Sequence, residues 1–501
     1  MVLDLVTNLL MERGIIANLP RLEDYDFHDQ GRHTIPRSRY VMAKTKKPKP
    51  KTSIDFPVIN AHAAGVDVGA TQIYVAVPPD HYEPEVRVFQ TFTEDLREAA
   101  AWLLECQIKT VAMESTSVYW IPFFQILEEE GIEVCLVNAR HVKNVPAAFK
   151  TDRRDSRWLR NLHAVGLLNA SFRPEQDVCV VRSVARHRDN LTQAASKHVL
   201  HMQKALNQMN IRLHDVISDI TGVSGLAVLD AVVSGERNAE RLTQLCNSRI
   251  KAHPEIIQKS LVGDFRAEHL LTLKQSLASW RHFQQQISEC DEEITQLLSA
   301  FAPVEDPPDP PARPKRYKRA QPAQTKRTTD TQRDMRDQMI KLFGVDLCRI
   351  PGLSVATVQL IFTEVGRDFS RFHTEHHFSS WLGLSPDNSS SGGKILSRRT
   401  RRTVNRLASA LRLAANTLKR TSCALGAYLR KMKSRLGAPK GITATAHKLA
   451  RIIYTLVTTR REYDESVFAK HEGRYQEKRL NSLMKEAAAL GYEFVKRECV
   501  S

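Results

Sequence analysis

No apolar run in this chain reaches the roughly 18 residues that a membrane-spanning helix needs. The opening segment, MVLDLVTNLLMERGIIANLPRLEDYD, carries acids near its start and lacks the basic-then-apolar order of a secretion signal. The expected setting is therefore the cytosol, with no membrane partner. Eight cysteines (106, 135, 179, 246, 290, 348, 423 and 499) lie singly along the chain, and no Cys-x-x-Cys pair occurs. That pattern indicates neither a zinc site nor a disulfide framework.

The absence that says most is one of acid. Between Lys394 and Arg461 stand 18 lysines and arginines and no aspartate or glutamate. The net charge of +17 resides in this stretch, and the rest of the chain is close to neutral. A basic stripe so free of acids repels itself unless a polyanion neutralises it, and release of counterions from a nucleic-acid backbone is the usual compensation. A solvated cationic surface or an anionic-membrane patch is the blander reading. A nucleic-acid partner is favoured over both.

What is present is enough for real cores: 42% of the 501 residues are apolar, and the length implies two or three domains. The expected fold class is α/β plus all-α. Residues 1–57 end in the Pro/Lys stretch RSRYVMAKTKKPKPK and read as a basic flexible arm. Residues 58–170 alternate strands (VINAHAAGVDVG, IYVAV, KTVAME, IEVCLVNA) with helices (TEDLREAAAWLLECQ, IPFFQILEEEG), which predicts a sheet covered by helices. Residues 171–301 hold two long helical patterns suited to an antiparallel arm or coiled coil. Residues 302–334, with seven prolines, read as an extended linker. A helical domain is expected over 335–470 and a final amphipathic helix over 471–501.

Four carboxylates form the first chemical constellation. Asp67 sits on the first strand, directly before Val-Gly-Ala-Thr, and Glu114 ends the strand KTVAME. Asp152 and Asp155 stand three apart at a helix start, on one face. Four hard oxygen donors on two strands and a helix suit Mg²⁺ or Mn²⁺, and paired ions of that kind serve phosphodiester displacement. Each acid alone is more often a turn cap or a helix-start residue; the order D…E…DxxD on an α/β pattern is what raises the reading.

The second constellation is a serine ahead of two glycines. WLGLSPDNSSSGGKILSRRTRR places Ser389, Ser390 and Ser391 before Gly392, Gly393 and Lys394. Glycines beside a serine let a phosphate approach, and Lys394 with Arg398 offers charge to one under attack. A serine needs a base or a polarised phosphate, and no histidine stands close in sequence, so the same stretch also reads as a flexible polar loop. Arg399, Arg401, Arg402 and Arg406 follow as phosphate contacts within the stripe. IPGLSVATVQL resembles a helix-hairpin-helix turn whose backbone amides, at Gly352, grip DNA phosphates; it reads equally as a tight helix–helix turn.

Taken together, GVDVGATQIYVAV, VAMESTSVYW, VNARHVKNVPAAFKTDRRDSRWL, IPGLSVATV, GLSPDNSSSGGK and GAPKGITATAHKLARIIY resemble the insertion sequence 110 family of transposases. The likeness runs over nearly all of 60–480. It implies an RNase H-like (RuvC-like) α/β domain, a coiled-coil arm and a mainly helical C-terminal transposase domain. It implies a metal-binding tetrad at Asp67, Glu114, Asp152 and Asp155 and a nucleophile at Ser391, with Ser389 and Ser390 within one or two residues. It also implies a covalent 5′-phosphoserine, double-stranded DNA as substrate (element ends and target), a structured bridge RNA as guide, and a tetramer acting on the nucleoid. The chain departs from the family where many relatives have a Lys-x-Gly-Asn step: SRRTRRTVNRL keeps Asn405 without its glycine. Two other readings stay open: a metal-only nuclease of the Holliday-junction type, with water attacking, and a catalytically silent nucleic-acid-binding protein.

Overall fold

The computed structural model describes residues 57–79, 83–115, 117–138, 151–309, 323–397, 399–401 and 404–492. The basic arm before residue 57, Arg398 and Arg402 lie outside the described residues. The chain divides into two compact units, residues 1–170 and residues 171–501.

The first unit is built on five strands: β1 (Ala63–Val68), β2 (Gln72–Ala76), β3 (Val86–Gln90), β4 (Thr110–Glu114) and β5 (Glu133–Val137). Their order is β3-β2-β1-β4-β5. The first three form an antiparallel meander, and β4 and β5 run parallel to β1. Three helices cover the sheet: α1 (Thr93–Glu105), α2 (Trp120–Glu129) and α3 (Asp152–Ala164). Alternate residues of a strand face opposite ways. On β1, Ala64 and Val66 face the core shared with Leu103 of α1 and Phe123 and Leu127 of α2. Gly65 faces α3, and nothing larger fits: a Cβ there would lie 2.3 Å from both the Ser156 carbonyl oxygen and the Arg160 nitrogen. α3 is fixed from its own side by Arg160. This buried guanidinium donates to the Val77 carbonyl at 2.6 Å and to Glu85 Oε1 at 2.7 Å.

The second unit is almost entirely helical. It opens with α4 (Gln176–Gln208), α5 (Leu213–Val216), α6 (Val223–Val233), α7 (Ala239–Gln244), α8 (Pro254–Ser260) and α9 (Ala267–Ser299). α4 and α9, 33 residues and about 50 Å each, pack antiparallel. Met202 and Leu206 meet Leu273 and Leu277 at one end, and Val178 and Val181 share a core with Ile294 and Leu298 at the other. Then come α10 (Ala323–Phe343), a 3₁₀ turn (Leu347–Arg349), α11 (Val355–Val365), α12 (Glu375–Trp381), the hairpin β6 (Ser389–Ser391) and β7 (Lys394–Ser397), α13 (Arg406–Thr417), a second 3₁₀ turn (Leu418–Arg420), α14 (Ala424–Leu436), α15 (Ala438–Thr459) and α16 (Ser466–Ala489). Phe362, Phe378, Leu411, Leu429 and Leu449 are buried in one core. Arg182 ties α4 to this core, donating to the carbonyls of Thr363 (2.9 Å) and Glu364 (2.7 Å) at the end of α11. Those carbonyls have no partner inside their own helix.

One sequence expectation is corrected here. The segment 302–334 does not stay extended throughout, because α10 begins at Ala323. All seven prolines of the segment lie at or before Pro322, so the breaker composition ends where the helix starts. No helix among the described residues is long and apolar enough to cross a membrane.

Candidate active site and nucleic-acid interface

The acids of the first unit are placed by strand register and helix phase. β1 and β4 are parallel neighbours that pair Val66 with Met113, so Asp67 and Glu114 come next, side by side, at the same ends of the two strands. Asp67 shares its strand face with Gly65, two residues earlier, and that face is turned to α3. Where Gly65 meets Ser156 and Arg160, the preceding turn of α3 carries Asp152 and Asp155. The residue two places further along β1 therefore looks at the first turn of the helix. Acids suit that turn, where free N–H groups carry partial positive charge.

The electrostatics agree with the geometry. Burial pushes the Asp67 carboxyl up from 3.8 to about 6, with further upward contributions from the charges of Asp152, Asp155 and Glu114; the Val68 backbone N–H opposes them. All three other acids thus act on Asp67 at once. Among the described residues, however, no three histidine, cysteine or acidic side chains are drawn together closely enough to hold a metal ion. The other three carboxylates act on Asp67 across a shared space, but the four do not converge on one point.

In the second unit, Ser391 does not sit in a formless loop. It ends β6 opposite Lys394 of β7. Gly392 and Gly393 make the two-residue turn with φ +53° and +76°, the doubly left-handed pair that tight hairpins require. Among the described residues, a Cβ on either glycine would meet nothing within 4 Å, so the tip is open to them. Ser391, both glycines and Lys394 are exposed. The base of the hairpin is held by the Asp387 N–H, which donates to the Arg399 carbonyl at 2.8 Å, and by a bridge between Pro386 and Thr400.

The stripe residues offered to phosphates have different surroundings. Lys394 and Arg399 are exposed. Arg401 donates to the carbonyl and hydroxyl oxygens of Ser380 at the end of α12, and Arg406 pairs with Asp189 of α4 at 3.0 Å. Gly352 is half-buried with φ +91°, and a Cβ there would lie 2.9 Å from the Ala414 carbonyl oxygen. Its lack of a side chain is explained by this packing against α13. Sequence reasoning missed Arg160, which fixes α3 and with it the two aspartates. Its only signal was an arginine two turns along the helix from Asp152. It also missed Asp189 and Glu375, acids from outside the stripe that pair with stripe arginines.

Two family models match this chain. One, described as Transposase and built on DEDD transposases, covers residues 64–211; the other, described as Transposase IS116/IS110/IS902 family, covers 346–430. The chain belongs to the IS110 family of transposases. The first match includes all four acids, and the second includes Gly352, the serine hairpin and the start of the basic stripe in this IS110 transposase. No curated protein matches the chain.

Proposed function

We propose that this transposase cuts and exchanges DNA strands with the acidic quartet of the first unit and Ser391 of the second acting on one scissile phosphate. The observation that carries the reading is the Asp67 carboxyl, which feels Asp152, Asp155 and Glu114 together on a sheet of this topology. We read that sheet as an RNase H-like (RuvC-like) domain, the α4–α9 pair as a coiled-coil arm, and the turn at Gly352 as the hairpin between two DNA-gripping helical segments. The donor set is hard oxygen throughout, and the charges of the other three acids bear on Asp67, which fits Mg²⁺ or Mn²⁺. Asp67, Glu114, Asp152 and Asp155 would hold the ions once drawn together. When bound, the ions supply charge stabilisation to a phosphodiester displacement.

The remaining steps belong to the chain. Ser391 Oγ attacks phosphorus and gives up its proton to solvent, forming a phosphoserine ester while the P–O3′ bond breaks and the leaving 3′ oxygen takes up a proton from solvent. The open glycine turn admits the phosphate, and Lys394 and Arg399 offset its charge. Reversal of the step onto a new 3′ oxygen exchanges strands. Duplex DNA, a structured bridge RNA and further copies of the chain, assembled as a tetramer, complete the proposed machine. The test pairs Asp67→Asn with Asp152→Asn in a strand-exchange assay on element-end DNA with the RNA flanking the gene. Loss of exchange with RNA binding retained is expected. Exchange at the wild-type rate in either variant rejects the assignment.

A further inference from the structure

A cavity of about 800 Å³ opens in the second unit along one face of α15, bounded by Tyr428 of α14 and Phe468 of α16. That volume lies in the range of small-ligand sites. Its walls are mostly apolar, with Ile452 and Leu456 on α15 and Val467 on α16. The polar groups it does contain are chiefly donors. The Lys448 amine lies 4.4 Å from the Tyr428 ring centre and 4.6 Å from that of Phe468, with no carboxylate partner among the described residues. Two further lining residues hold buried donors without acceptors among the described residues: Arg451 at Nε and Tyr463 at its hydroxyl.

The acids at the rim are already engaged. Glu375 pairs with Arg451 at 3.1 Å, Glu462 pairs with Arg349, and Asp464 accepts from the backbone and hydroxyl of Ser466. Proximity to Glu465 and Asp464 adds to burial in pushing the Tyr463 phenol up to about 12, so it stays a donor. Burial pushes the Lys448 amine down, and Arg451 adds to that, so an incoming anion would relieve both. Buried donors without acceptors are costly, and ring faces hold a cation less well than an anion does.

We propose that this cavity takes one unpaired nucleotide of a nucleic-acid strand, its phosphate on Lys448, Arg451 and the Tyr463 hydroxyl and its base against Phe468 and the aliphatic wall. Cationic groups beside aromatic faces are the usual means of holding single strands. Lys448 and Arg451 line the cavity and belong to the acid-free stretch 394–461, the part of the chain whose charge is assigned to nucleic acid. The proposal rests on that assignment.

The experiment uses the full chain and four probes: a short 5′-phosphorylated single strand with terminal 2-aminopurine, the matching duplex, AMP and inorganic phosphate. Lys448→Met keeps the aliphatic stem, and Tyr463→Phe removes only an unpartnered hydroxyl, so the fold is retained. Lys448→Met should weaken single-strand binding about tenfold, as removal of one charge-assisted hydrogen bond does, and abolish the 2-aminopurine response. Tyr463→Phe should weaken it less, and duplex binding should stay unchanged in both. Single-strand binding at the wild-type level in both variants overturns the proposal. AMP or phosphate binding as tightly as the strand overturns a strand as the source. A wild-type chain that binds neither strand nor duplex would instead remove the nucleic-acid reading itself.

Discussion

The guanidinium of Arg401 grips Ser380 twice, donating to its carbonyl oxygen at 2.9 Å and its hydroxyl at 2.8 Å. A residue that looks in the sequence like one more phosphate ligand therefore anchors the returning strand of the serine hairpin to the end of α12. Arg401→Ala should loosen the hairpin while leaving the grip on phosphates intact. Amide hydrogen exchange over 389–397 should speed up, while the salt dependence of DNA binding keeps its slope. A lower slope with unchanged exchange would return Arg401 to the phosphate-binding set.

Lys394 and Arg399 carry the opposite expectation. Both are exposed beside the hairpin. Replacing both with alanine should reduce the slope of log K against log salt on duplex DNA by about 0.9 for each phosphate they neutralise. Equilibrium titrations between low and physiological salt measure it, and an unchanged slope refutes their role.

The raised carboxyl of Asp67 has a signed consequence for stability. Folding lifts its pKa from 3.8 to about 6, so the folded chain holds this proton more tightly than the unfolded one. The resulting stabilisation is complete below about 4 and is lost as pH rises through about 6. A shift of this size corresponds to roughly 3 kcal/mol, which solvent screening of the partly exposed site reduces to about 1–2 kcal/mol. With divalent ions chelated at pH 7.5, Asp67→Asn should melt a few degrees above the wild type. The difference should vanish near pH 4 and shrink when Mg²⁺ is added. A variant no more stable than the wild type at neutral pH would show that the carboxylates do not strain one another.

Gly65 links the sheet to the site. An added methyl would meet the α3 backbone at 2.3 Å, where no flexible side chain can yield. Gly65→Ala should push α3 off β1 and cost about 1–3 kcal/mol or more, as overpacking does. Strand exchange should fall further than stability, because Asp152 and Asp155 ride on the displaced helix. Thermal melts and exchange assays on the same preparation separate the two effects.

The α/β alternation of the first unit was legible because β1, β4 and β5 are short apolar runs and α1 and α2 keep helical spacing. β3 was not: in Val86–Gln90 only Val86 and Phe89 are buried, so the strand lacks a continuous apolar signal. The four acids could be picked out by order, but their meeting depends on the register of β1 against β4 and on the bare Gly65, which spacing does not encode. The Gly392–Gly393 pair read as permissive for a loop, whereas its two positive φ angles close a hairpin. Arg401 and Arg406 were drawn into the stripe by composition alone. Their partners, Ser380 and Asp189, lie 21 and 217 residues away.

The central claim is that Ser391 becomes bonded to DNA under the control of the acidic quartet. Its most direct test is to incubate 3′-labelled element-end DNA with the protein, RNA and Mg²⁺, denature, and map the labelled peptide by mass spectrometry. A phosphodiester adduct on Ser391 is expected, and it should disappear in Ser391→Ala and in Asp67→Asn. Cleaved DNA with a free 5′ phosphate, no protein adduct and full activity in Ser391→Ala would contradict it and leave water as the nucleophile.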